Sequence, residues 1–263
     1  MASFAGIAST YGYWALGGTI AFLALFWLLR GRIRIEKGWG GFNIVRFGRL
    51  ERLVHWLLAA TFLVLALTGL YFRYGSVISG GVFGNESLAQ IQFISWVLHV
   101  GVAVVFMAIL LLALPLWLRH VLPHWRDAVW LAKGGGMIVR GVHPPAHKFN
   151  AGQKLLFWLV VVGGVWLSFS GLLLVLPDEP IPEFEAYRSI WHTLPALVLT
   201  CAVIVHIYFR TIGIEGAASA MISGEVDANW ARQHHNLWAE EEVKRIEDAA
   251  APAHGDTTVS HVG

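Results

Sequence analysis

The sequence predicts an all-α integral membrane protein with five transmembrane helices. Three observations carry this prediction. The 263 residues are 56% hydrophobic and 14% charged, whereas a soluble domain carries roughly a quarter charged residues. The charge is segregated, leaving five long stretches with almost none. Basic residues then concentrate in alternate connections between those stretches. A net charge of +2 in so apolar a chain argues against disorder and against nucleic acid as a partner.

A helix needs about 20 mainly apolar residues to cross roughly 30 Å of hydrocarbon. Five runs qualify: A (13–29), B (53–72), C (93–118), D (155–176) and E (190–209). Run A is short, but the residues before it are also uncharged and can lengthen it. It has no Lys or Arg ahead of its apolar core and basic residues after it, so it reads as an anchor and not as a cleaved signal peptide.

The A–B connection carries Arg30, Arg32, Arg34, Lys37, Arg46, Arg49 and Arg52. The C–D connection carries Arg119, Arg126, Lys133, Arg140, Lys148 and Lys154. Only Arg73 follows B, and the D–E connection sets Arg188 among Asp178, Glu179, Glu183 and Glu185. By the positive-inside rule, the A–B and C–D connections and the carboxyl tail face the cytoplasm of a bacterial inner membrane. The amino terminus and the B–C and D–E loops face outward. Three segments follow: 1–48, an N-terminal helix with a basic linker; 49–214, a four-helix membrane domain; and 215–263, an amphipathic tail expected along the membrane surface. Gly134-Gly135-Gly136 lacks a following Gly-Lys-Ser/Thr and reads as a flexible connection. Residues after Ala249 read as a frayed end.

The single cysteine, Cys201, excludes an intrachain disulfide, a four-thiolate iron–sulfur site and covalent haem attachment through Cys-x-x-Cys-His. Any redox cofactor needs other ligands. Histidine inside a span is costly unless satisfied and is a functional-site hypothesis by default. Four lie in the apolar runs: His55 in B, His99 in C, and His192 and His206 in E. The plain alternative for each is a packing histidine bonded to a neighbouring carbonyl or hydroxyl.

Their depths match in pairs. His192 and His206 are 14 residues apart, a rise of about 21 Å, and 14 steps of about 100° return the second to within ~40° of the first. Both therefore point from one face of helix E. His55 lies near the inner surface beside His206, and His99 lies in the outer half beside His192. Two opposed neutral imidazoles suit the two axial positions of a b-type haem. A tetrahedral zinc site would want three or four donors at one depth. Gly69 on B and Gly163, Gly164 and Gly171 on D would give a flat macrocycle room, or would serve close helix packing.

Around these histidines the chain resembles the cytochrome b (gamma) subunit of membrane-bound respiratory formate dehydrogenases. The resemblance rests on Glu51-Arg52-Leu53-Val54-His55-Trp56, Val97-Leu98-His99 and Lys148-Phe149-Asn150-Ala151-Gly152-Gln153-Lys154. It continues through Ile190-Trp191-His192, Val205-His206-Ile207-Tyr208, Ala220-Met221-Ile222-Ser223-Gly224-Glu225-Val226 and Trp230-Ala231-Arg232-Gln233-His234-His235. Helix A and its linker stand outside the resemblance.

The resemblance implies a di-haem bundle with iron ligands His55 with His206 (inner haem) and His99 with His192 (outer haem). It implies electron transfer from an iron–sulfur (beta) subunit through two haem b groups to quinone, beside a molybdenum- or tungsten-containing catalytic (alpha) subunit that oxidises formate. It places quinone at Asn150 and Gly152, with Gln153 beside them. Read from the residues alone, Asn150 and Gln153 form a capping box. Both readings can hold together.

Arg52, Arg73, Lys154, Arg188 and Arg210 sit at helix ends, where haem propionates would lie or where snorkelling side chains anchor. His120, His124, His143 and His147 are candidates for a proton relay, while His234 and His235 read as solvated or partner-facing. Gly80-Gly81 and the acidic segment 178–185 are expected to dock the iron–sulfur subunit. The rival functions are the cytochrome b of a hydrogenase or thiosulfate reductase, and a haem-free membrane anchor.

Overall fold

A computed structural model describes residues 4–79, 85–176 and 182–250. In chain order the helices of the membrane part are α1 (Phe4–Arg30), α2 (Arg49–Ser79), α3 (Asn85–Val121), the short α4 (Trp125–Ala132), α5 (Ala151–Val175) and α6 (Pro182–Tyr208). Each expected apolar run falls within one long helix, except for two end residues. Leu176 is the C-cap of α5, and Phe209 opens a π-turn, Phe209–Gly213. Five helices are long and apolar enough to cross a membrane. Leu28, Leu29 and Leu111 are 74%, 78% and 70% exposed, a surface that suits lipid. The chain is a multi-pass membrane protein. Gly80, Gly81, Asp178 and Glu179 of the expected docking loops lie outside the described residues, as do the side chains of Glu183, Glu185 and Arg188.

Helix α2 runs along α3, and α5 runs along α6; the two pairs meet where α3 contacts α5. That contact needs Gly164, where a Cβ would stand 2.8 Å from Leu110 Cδ2 and 3.1 Å from Phe106 Cε1. A Cβ at Gly163 would make ordinary contact with Leu199 at 3.8 Å. These two glycines therefore serve helix packing. Pro195 lies inside α6 and cannot donate to the Trp191 carbonyl four residues back. Trp166 Nε1 of α5 donates to it instead, at 2.8 Å. Helix α1 packs on α6, with Phe26 edge-on to Tyr208 and Phe209.

At one end, the linker after α1, the connection before α5 and the tail assemble into a folded cap. Strand β1 (Asn43–Val45) pairs antiparallel with β2 (Glu225–Asp227), Ile44 opposite Val226. Around them lie α7 (Ser219–Ile222), α8 (Ala228–His234) and α9 (Asn236–Ala250). Gly224 has φ +90 and accepts the Arg46 and Phe47 amides at 2.8 and 3.1 Å. A Cβ there would stand 2.6 Å from the Phe47 carbonyl. Asp227 caps α8 through the Asn229 and Trp230 amides. Trp230 and Trp238 are buried with Ile44, Phe47 and Phe149, so the tail folds onto the linker as well as carrying an amphipathic pattern. The expectation for His234 and His235 is corrected: His235 is wholly buried, and His234 Nε2 is shut off from solvent. The His235 ring packs against Arg46 and Trp230 in the cap interior, and the His234 ring packs against Trp230.

Arg46, 3% exposed, holds the cap together. Its Nη2 donates to the Lys148 carbonyl at 2.6 Å and to His235 Nε2 at 2.8 Å. His235 Nδ1 in turn donates to the His147 carbonyl at 2.7 Å, which fixes the tautomer. The guanidinium also faces the Phe47, Trp230 and Trp238 rings. Arg46→Ala should weaken the cap by about 2–3 kcal/mol, read as faster limited proteolysis of the tail; unchanged cleavage would show the clamp to be dispensable.

Acid should act in the same direction. Burial, then Arg46, holds His235 well below the ordinary histidine range, and burial, then Arg210, holds His234 down to about 3. Below about pH 6.5 the unfolded chain takes up protons that the folded cap refuses, so stability falls by up to about 1.4 kcal/mol per pH unit for each ring. Cleavage of the tail should change little above about pH 7 and quicken steadily from about pH 6.5 to about pH 5, and a flat profile would contradict the assignment.

Candidate functional site

Helix α6 presents His192 and His206 to the gap between the helix pairs. His206 faces His55 of α2 with ring centroids 6.3 Å apart and planes at 54°. His192 faces His99 of α3 at 6.2 Å and 68°. The structure thus brings together the two pairs expected from depth. Imidazole nitrogens bind a metal at about 2.0–2.1 Å, and each ring centre lies about 1.2 Å behind its nitrogen, so two axial imidazoles on one iron need centroids roughly 6.4 Å apart. Both pairs have this spacing. Among the described residues no group of three or more His, Cys, Asp or Glu side chains is arranged to hold a metal, so the tetrahedral zinc alternative has no ligand set there.

Two further residues prepare the His99/His192 pair, and the sequence reading missed them. Thr68 Oγ1 of α2 gives its one proton to the Val64 carbonyl at 2.7 Å and lies 2.7 Å from His99 Nδ1. It therefore accepts from Nδ1–H, and His99 keeps its lone pair on Nε2. Ser170 of α5, 2% exposed, repeats the device. Its hydroxyl donates to the Trp166 carbonyl at 2.9 Å and accepts from His192 Nδ1 at 3.1 Å. A hydrogen-bonded second nitrogen is the usual support of a metal-ligating histidine.

Each hydroxyl is followed by the glycine that gives the ring its space. A Cβ at Gly69 would stand 3.4 Å from His99 Cε1, and one at Gly171 would stand 3.2 Å from His192 Cε1. The dipeptides Thr68-Gly69 and Ser170-Gly171 were the available signal. The cap-side pair differs, since His55 Nδ1 is buried with no hydrogen-bond partner among the described residues.

Beside the cap-side pair opens a cavity of about 780 Å³. Its lining joins His206 to Asn150, Gly152 and Gln153 at the start of α5, to Leu155 and Leu159 behind them, to Arg30 at the end of α1 and to Ile33 in the linker. The capping box is present: Asn150 Oδ1 accepts from the Gln153 amide and Gln153 Oε1 from the Asn150 amide, each at 3.0 Å. Asn150 Nδ2 has no partner among the described residues and is free to donate.

The helix-end cations divide. Lys154 is committed to Asp127 Oδ2 at 2.9 Å and the Leu122 carbonyl at 3.0 Å, which removes it as a propionate partner. Arg52 donates to the Ile222 carbonyl at 2.7 Å, while Arg210 lines the cavity. His120 stacks on Phe149, His124 caps α4, His147 lies beside Arg126 and Glu241, and His143 pairs with Glu36.

A membrane bundle built around opposed imidazole pairs is the architecture of a membrane cytochrome b. The family model for prokaryotic cytochrome b561 matches residues 46–224; the chain belongs to this family, and its cofactor is haem b. The cytochrome b556(fdo) subunit of formate dehydrogenase from Escherichia coli K12 is 30% identical over 213 residues, spanning 79% of this chain and 97% of the relative. The cytochrome b556(Fdn) subunit of the nitrate-inducible formate dehydrogenase of the same strain is 27% identical over 214 residues, spanning 79% and 94%. The corresponding Haemophilus influenzae subunit is 29% identical over 212 residues, spanning 76% and 84%. Helix α1 lies outside the residues matched by the family model.

Thr68→Val and Ser170→Ala should each weaken haem binding about 10–100-fold, measured as haem b retained per chain on dilution in detergent. Retention equal to that of the unaltered protein would mean that the hydroxyls do not set the ligand tautomer.

Proposed function

We propose that this chain is the di-haem cytochrome b subunit of a formate dehydrogenase complex, carrying electrons from an iron–sulfur subunit to membrane quinone. The observation that carries the reading is the cavity joining His206 to Asn150, Gly152 and Gln153, beside one of two imidazole pairs. His55 and His206 would hold one haem b, and His99 and His192 the other; bound haem supplies a one-electron carrier. Formate as the donor rests on the relatives, which are formate dehydrogenase subunits. Membership of the cytochrome b561 family and the spacing of the facing ring pairs argue against the haem-free anchor. Formate oxidation belongs to the molybdenum- or tungsten-containing partner.

In this reading the cap lies in the cytoplasm and the amino terminus outside, as the basic connections indicate. Electrons arrive at the outer pair beneath loops that dock the iron–sulfur subunit and leave at the cap side. Moving one charge across the whole membrane potential involves about 2.3 kcal/mol per 100 mV. The chain's own residues do three things. The histidines supply lone pairs, the hydroxyls orient two of those rings, and Asn150 Nδ2 offers a hydrogen bond to a quinone carbonyl.

Pyridine haemochrome analysis should give two haems per intact chain. Loss of His99 or His192 should remove chiefly the outer haem and loss of His55 the inner one; a single haem in the intact chain would overturn the stoichiometry. Asn150→Ser retains a helix cap but not the amide donor. It should slow quinone reduction about tenfold, the value of one hydrogen bond, with both haems bound and reducible by formate. Normal turnover would make Asn150 a cap only.

A further inference from the structure

Quinone reduction needs protons as well as electrons, and the cavity lining narrows how they arrive. Its guanidinium groups, Arg30 at the end of α1, Arg32 and Arg34 from the linker, Arg140 from the connection before α5, and Arg210 after α6, carry donors but no acceptor to receive a proton. Asn150, Gln153 and Gln233 do not titrate. Among the lining residues this leaves Glu36, His143, His206 and His234, and His206 belongs to an imidazole pair.

The other three form an arrangement of their own. At the cavity's solvent side, Glu36 Oε2 lies 2.9 Å from His143 Nε2, with the two side chains 45% and 34% exposed. Glu36 is fixed in place: the Gly141 amide donates to Oε1 at 3.0 Å, and its own amide donates to Gln233 Oε1 at 2.9 Å. Gln233 Nε2 donates in turn to the Arg34 carbonyl at 2.9 Å. This clamp joins the linker to the residue preceding His234. The His234 ring lines the same cavity, and its Nε2 is inaccessible to water and has no hydrogen-bond partner among the described residues. Glu36 and His234 both lie outside the residues matched by the family model.

We infer that His143 and His234 carry protons from the aqueous mouth of this cavity to the bound quinone, with Glu36 as the residue that positions His143. The inference rests on the quinone reading above. Two electrons from the donor complex and two protons taken up from the aqueous phase convert the two carbonyls of the quinone to hydroxyls, forming two O–H bonds with no leaving group. His143 exchanges with water, and His234 passes the proton inward. Burial and Arg210 hold His234 near 3, so the ring keeps no standing proton at neutral pH. It accepts one as negative charge develops on the reduced quinone. The Glu36 carboxyl is held below its usual range by the hydrogen bonds from His143 and Gly141 and stays ionised, able to orient the His143 ring.

The test uses the purified complex with its haems reduced beforehand. A water-soluble quinone is mixed in, and haem oxidation is followed together with proton uptake from a weakly buffered indicator. His143→Gln and His234→Gln should each slow both signals at least about tenfold near pH 8, in the range of general acid catalysis, and much less near pH 6. Haem content, haem spectrum and the KM for quinone should not change. Added imidazole should restore His143→Gln, whose position is open to water, and Glu36→Gln should give a smaller slowing with the same pH dependence. Unchanged rates in both histidine variants would overturn the inference, as would slowing that is independent of pH, unrescued and accompanied by a raised KM. If His234→Gln loses haem, His143→Gln decides alone. Failure of the unaltered complex to be oxidised by quinone would instead overturn the quinone reading.

Discussion

Two pairs of imidazoles face each other across the gap between the α2–α3 and α5–α6 helix pairs, at 6.2 and 6.3 Å between centroids, and the residues around them are placed to serve these rings. Lipid covers apolar side chains as well as another helix does, so a membrane bundle has little drive to hold a particular gap through apolar contact alone. Polar rings add a drive within each pair, because a ring nitrogen inside a span needs a partner: His99 ties α3 to α2 and His192 ties α6 to α5. The rest of the bundle follows. Thr68 and Ser170 meet two Nδ1 atoms, and Gly69 and Gly171 clear the ring edges. Gly164 lets α3 and α5 close on each other, so the gap is held open from the side by packed backbone.

The cap extends this order to the cavity. Arg46 bonds the Lys148 carbonyl, two residues before the Asn150 cap of α5, and bonds His235 of the tail. Lys148 itself reaches Glu51 of α2 at 2.9 Å, and Glu51 also accepts from Trp117 Nε1 of α3. The start of α5 is therefore tied to the tail, α2 and α3 together. A charged group so deeply buried is costly unless well bonded, and its bonds here run to the backbone just before α5 and to a buried ring of the tail.

Helix α1, an addition whose role the sequence left open, gains a physical one. It buttresses α6 through Phe26, and its last residue closes against the cavity, with Arg30 Nε donating to the Met137 carbonyl at 2.9 Å. The linker that follows brings Glu36 to the cavity and supplies β1 to the cap. The two imidazole pairs thereby sit in different surroundings: one braced by hydroxyls of neighbouring helices, the other bordered by a cavity and by arginines.

The five spans were legible because apolar length is a property of each segment alone. The histidine pairs were legible because helix rise and the alternation of helices fix depth, and 14 residues return a side chain to the same face. The Asn150–Gln153 capping box was local too. The rest depended on partners far along the chain. A threonine or serine in a span shows its bond to the carbonyl four residues back, but not the imidazole that its second lone pair will meet. Nothing near Lys154 in sequence names Asp127, and nothing near His235 names Arg46, 189 residues away. Amphipathicity showed that the tail has an apolar face; only the tertiary structure decided that this face covers the linker, because a periodic pattern records that a surface is buried and not what it is buried against.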